Sequence, residues 1–183
     1  MTDGRSAGSF RRPPPARGRW AANGRGTGPA RSAGAASPRE VAAFLIALKP
    51  IVARAIEIRK SWIKELGLLF EEARQGKPTQ VTDQAGRLGR DHVGAFQDVR
   101  WSAGRQRPPE GCQDIHRALM AWLGGLVSAC EALVDVGSSG EMAGMQVAQR
   151  HVAEARHAAR RFNGEYSRLV TELRMAVRAA RRG

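Results

Sequence analysis

The stretch HVAEARHAARRF, residues 151–162, holds the most metal-like spelling in the chain. Glu154 and His157 form the Glu-x-x-His spacing by which di-iron bundles set two ligands side by side. Such a centre needs that pair on two helices and a glutamate on each of two others, all facing inward, whereas here the pair occurs once. On a helix turning about 100° per residue, Val152, Ala155, Ala159 and Phe162 gather on one side, with Glu154 about 120° and His157 about 180° away. Both are expected in solvent, and Arg150, four residues before Glu154, is its expected ion partner. The pair implies no metal and no cofactor.

His92 stands at a core position between Leu88 and Phe96. A histidine there could sense pH, hold a small ligand or metal, or be a boundary residue with both ring nitrogens satisfied. His116 and His151 fall on the flanks of their apolar stripes. Asp91, Asp98 and Asp114 make no inward carboxylate pair, so general acid–base chemistry finds no constellation. Residues 61–64, SWIK, spell the Ser-x-x-Lys of penicillin-recognising enzymes without their other motifs. GKPT, residues 76–79, lacks the upstream glycine and preceding strand of a phosphate loop. Cys112 lies beside a helix start, where the dipole can lower a thiol pKa, but with no base arranged beside it an incidental cysteine is expected over a reactive one, and Cys130 reads as a small core residue. On one helix, their separation of 18 residues spans about 27 Å, too far for a disulfide. The chain is expected to be a non-enzyme of the reducing cytoplasm.

The net charge of +13 is concentrated at the ends. Residues 1–37 carry seven arginines against Asp3, and residues 150–183 carry nine against three glutamates. Arg11, Arg12, Arg17 and Arg19, beside Phe10 and Trp20, and Arg174, Arg178, Arg181 and Arg182 are the candidates for a nucleic acid or other polyanion. Phosphate-backbone binding needs only such clustered charge and falls steeply with salt. No helix-turn-helix or zinc finger accompanies it. The 26 arginines against 4 lysines also suit a GC-rich coding sequence, which weakens the charge as a functional signal.

The elements that must position these residues are helical. Residues 1–37 are rich in Gly, Pro and Arg, have no apolar period, and are expected to be a disordered tail preceding a domain over 38–183. Its first residues lack the apolar core of a signal peptide. Ser37 and Glu40 spell a capping box with Pro38 in the first turn, and Ser138 and Glu141 spell another. Apolar spacing predicts helices over about 38–75, 79–104, 109–136 and 139–181, with Pro50 kinking or dividing the first. Gly86, Gly89 and Gly94 make the second the weakest, at about 1 kcal/mol each. Ile115, Leu119, Trp122, Leu126, Ala129 and Leu133 form a coiled-coil-like heptad in the third. ALMAWLGGLVSACEALV, residues 118–134, is 17 residues long with Glu131 inside it, so a buried helix is expected instead of a membrane span.

Short turns favour antiparallel neighbours, giving an all-α, up-down-up-down four-helix bundle. Its expected role is to bind a helical partner or itself, as a homodimer, through the end of the fourth helix and the exposed length of the first. Polyanion binding by the basic ends, and a ligand or metal near His92, are the alternatives.

Overall fold

A computed structural model of the chain describes residues 36–75 and 77–182. Four helices account for nearly all of them: α1 (Pro38–Gln75), α2 (Pro78–Gly104), α3 (Gln113–Ser139) and α4 (Gly144–Ala180). There is no strand among the described residues, and the helices pack as a bundle. The tail expected over residues 1–37 lies outside the described residues up to position 35.

Helix α1 begins where the sequence signals it. The Ser37 N–H donates to Glu40 Oε2 at 2.7 Å and the Glu40 N–H donates to Ser37 Oγ at 3.3 Å, so the capping box is formed. The hydrogen bond from the Ser37 backbone, then that from its hydroxyl, holds the Glu40 carboxyl below its ordinary pKa. Pro50 does not divide the helix. It is exposed, as is Ile46, whose carbonyl loses its helical donor to the proline and stays within reach of water.

The next boundaries differ from expectation by a few residues. Helix α3 starts at Gln113 and not at Pro109, because Gly111 takes a left-handed φ of 80° and Cys112 occupies the N-cap. The Ser138–Glu141 capping box does not form. Ser138 lies inside α3, its Oγ donating to the Val134 carbonyl at 2.7 Å, and the Glu141 N–H donates to Ser139 Oγ instead. The stop is Gly140 at φ 73°, whose N–H closes on the Val136 carbonyl at 3.0 Å. Helix α4 therefore starts at Gly144, after residue 139.

Helix α3 is the centre of the core. The six expected heptad positions are all buried, joined by Leu123, Val127 and Cys130. By length and composition α3 is apolar enough to cross a membrane, and more than half of its most apolar window is buried inside the bundle. Its contacts with α2 and α4 run along its length, α1 packs mainly on α2, and α1 and α4 scarcely meet. In α4, Ala158 is buried where Ala159 was expected, and Ala159 is only half-buried.

The expected weakness of α2 is corrected by its packing. A Cβ on Gly137 would lie 2.4 Å from the Gly86 Cα, and one on Gly89 would lie 2.5 Å from the Cys130 carbonyl oxygen. These glycines let two backbones touch, and the contact offsets their propensity cost. Only Gly94 of the three stands in open space. Trp62 of α1 meets Phe96 of α2 edge-on, with ring centroids 5.6 Å apart, which fixes α1 to that side.

Candidate interaction surface

Among the described residues the exposed large apolar side chains are Ile46, Ile56, Leu68, Trp101, Met175 and Val177, and Ile56 is the one that lies in the seam between α1 and α4. Leu48, Val52 and Ile56 from α1, with Phe162 and Tyr166 from α4, line a groove of about 320 Å³. An adjoining groove of about 380 Å³ shares Val52, Ile56 and Phe162 and reaches Trp122 of α3. Trp122, Phe162 and Tyr166 form a tilted aromatic row with successive centroids 6.1 Å apart. Phe162 and Tyr166 are neighbours because residues four apart share a helix face. Ile56, expected in the core stripe, is 49% exposed because α4 does not close over it.

The rims of the seam are cationic. Lys49 borders the first groove, and Arg59, Arg156 and Arg160 border the second. No carboxylate lines either groove. At about 100° per residue from Ala155, Arg156, Arg160, Asn163, Arg174 and Arg178 fall about 80–140° to one side of α4, while Glu154, Glu165 and Glu172 fall about 80–100° to the other. Because Arg156, Arg160 and Asn163 line the seam, that first side is the one turned toward α1.

The glutamates on the far flank are all occupied. Glu154 meets His151 Nδ1 at 3.0 Å, so its partner is His151 and not Arg150: the half-buried imidazole, three residues away on the core side, reaches it first. Arg168 bridges Glu165 at 2.9 Å and Glu172 at 2.7 Å, and the hydrogen bonds it donates to Glu172 and then to Glu165 push its pKa up. Among the described residues, none of Lys49, Arg59, Arg156, Arg160, Arg174 or Arg178 is in an ion pair.

The candidates named from sequence fall in several places. Arg174 and Arg178 continue the cationic flank of α4 toward its end, and Arg181 and Arg182 are exposed in the turn that follows. Arg11, Arg12, Arg17 and Arg19 lie outside the described residues. His92 is half-buried between α1 and α2, its Nδ1 3.2 Å from the Leu88 carbonyl and its Nε2 3.7 Å from Glu65 Oε1. Its ring nitrogens thus face groups of this chain. Glu154 and His157 are exposed, and no cluster of three His, Cys, Asp or Glu side chains among the described residues could hold a metal ion.

Cys112 is not shifted in the direction a reactive thiol would need. It is buried, and burial pushes the thiol up, outweighing the nearby Arg168. Burial pushes Cys130 up to about 12, with Glu131 adding to the shift. Both cysteines are free.

Reading the sequence for motifs misses the seam, because no single residue in it is unusual. The signal available was that the three glutamates of α4 share one flank with Arg150, Arg161 and Arg168, while Arg156, Arg160, Arg174 and Arg178 stand on the other flank without a carboxylate. Comparison with protein-family models, with curated proteins and with solved structures found no match to this chain.

Proposed function

We propose that this protein is a non-enzymatic cytoplasmic binding module, in which the α1–α4 seam receives a helix from a protein partner. The observation that carries this reading is the groove between two helices of 38 and 37 residues, in which Ile56 is exposed and Val52 half-buried above the buried Trp122 and Phe162. A docking helix would place side chains at i, i+3, i+4 and i+7 into such a groove and bury what the bundle leaves wet. A second copy of this chain is a poorer occupant, because it brings a net charge of +13 to a surface already cationic.

Affinity capture with the full chain, with and without nuclease, tests this reading when Ile56→Asp is run beside the wild type. Ile56 is about half exposed, so the variant should keep its helical circular dichroism. A protein retained by the wild type, insensitive to nuclease and lost with Ile56→Asp, is the expected result. Retention unchanged by Ile56→Asp would remove the seam from the account.

A second reading, polyanion binding, is favoured by the exposed run Arg174, Arg178, Arg181 and Arg182. It predicts duplex DNA binding that weakens steeply with salt and is lost when these arginines are replaced by alanine. DNA binding independent of them would contradict it.

A further inference from the structure

We infer that the seam selects an amphipathic helix carrying carboxylates along both of its borders, an inference that rests on the seam being a helix-docking site. Both rims are cationic, with Lys49 and Arg59 on α1 and Arg156 and Arg160 on α4, and the floor between them is aliphatic and aromatic. An incoming helix with one apolar stripe therefore meets positive charge on each side of it. Arg156 and Arg160, one turn apart, match acidic residues spaced at i and i+4 on the partner. Arg174 and Arg178 return to the same flank after the uncharged Asn163, Ser167 and Val170, and the span from residue 156 to 178 is about 33 Å. That length suits a partner helix of about 20 residues.

The occupant is argued from charge complementarity. The carboxylates of α4 sit on its other flank and are already bound by His151 and Arg168, so the rim cations have no internal partner among the described residues. The chain's own first 37 residues, with seven arginines against Asp3, carry the wrong sign. A bare polyanion would satisfy the rims but leave Ile56 uncovered, since a phosphate backbone has no apolar side chain to place there. Carboxylates set beside an apolar stripe satisfy both features.

The test uses the full chain and three labelled synthetic helices of about 20 residues, a length taken from the rise per residue. One has a Leu/Phe stripe with Glu borders, one the same stripe with Lys borders, and one Glu borders with an Ala stripe. Fluorescence anisotropy should show the Glu-bordered apolar helix binding at least about tenfold more tightly than either other peptide. Its affinity should fall between about 50 mM and about 300 mM salt as screening shortens the reach of the rims. The double variant Arg156→Glu, Arg160→Glu should lose this peptide and gain the Lys-bordered one.

Equal binding of the Glu- and Lys-bordered apolar helices would overturn the charge inference and leave the docking reading standing. Binding of neither would overturn the docking reading itself. Equal binding of the two Glu-bordered peptides would show a polyelectrolyte surface without use of the floor, and overturn the inference in favour of a polyanion. Self-association in sedimentation that Arg156→Glu, Arg160→Glu abolishes would make a second copy the occupant and overturn it as well.

Discussion

The α2–α3 contact and the α1–α4 seam are built from the same kinds of helix and end in opposite states. Where α2 meets α3, Gly86 faces Gly137 and Gly89 faces the Cys130 carbonyl, so backbones touch and no side chain separates them. Where α1 faces α4, small residues are also present, Ala53 and Ala159, yet the helices scarcely meet. The two contacts differ in what lies between the helices, glycine backbone in one and Val52, Ile56, Trp122 and Phe162 beneath cationic rims in the other. Closing the seam would press Lys49 and Arg59 toward Arg156 and Arg160, and like charges brought together in a drying interface repel more strongly. One side of the bundle is closed backbone to backbone, and the other keeps a groove with cationic rims.

The largest effects should come from forcing the closed side apart. Gly137→Val places atoms against the Gly86 backbone and should cost about 3 kcal/mol in urea denaturation, whereas Gly94→Ala, in open space, should gain about 0.5 kcal/mol. Equal effects would erase the distinction between packed and unpacked glycines.

Next is the alkaline limit of the same contact. Burial pushes the Cys130 thiol up to about 12 in the fold, against an ordinary value of 9.0. Above about pH 9 the unfolded chain releases a proton that the folded chain retains, so stability should fall as pH rises from there toward 12. The loss should be on the order of 2 kcal/mol by about pH 11, and Cys130→Ala should flatten the profile. A stability that stays level through pH 11 in the wild type would contradict this burial.

On the open side, Ser37→Ala should cost about 1 kcal/mol at neutral pH by removing the cap of α1. Glu40 contributes through a lowered pKa, so its share is present above its ordinary value of 4.5 and is lost as pH falls through the folded value. The gap between wild type and Ser37→Ala should therefore narrow in acid, and a gap that widens would exclude the capping box as its source. Smallest is Ile56→Ser, which should change stability by less than about 0.5 kcal/mol because the side chain is about half exposed. A large loss would mean that the seam closes in solution.

The fold was legible because apolar period, caps and breakers agree over long stretches. Three helix ends fall within one residue of expectation: 75 and 104 at the ends of α1 and α2, and 180 against 181 for α4. The start of α3 was displaced by the left-handed Gly111, and the start of α4 because Ser138 and Glu141 match a capping pattern while Gly140, with its left-handed φ, is the residue that stops α3. The seam was only half legible. Arg174 and Arg178 stood out as local charge, but Arg59, Arg156 and Arg160 gain their meaning from two helices distant in sequence. An exposed Ile56 cannot be told from a core isoleucine until the neighbour that fails to cover it is known.

The most direct test places a photo-crosslinking amino acid at Asn163, in the seam, and in a second variant at Glu154, on the opposite flank of the same helix. The account predicts that Asn163 captures an acidic protein partner, with the crosslink mapped to a helical segment bearing carboxylates, and that Glu154 captures none. Capture from Glu154 alone, equal capture from both, or no capture from Asn163 would contradict it.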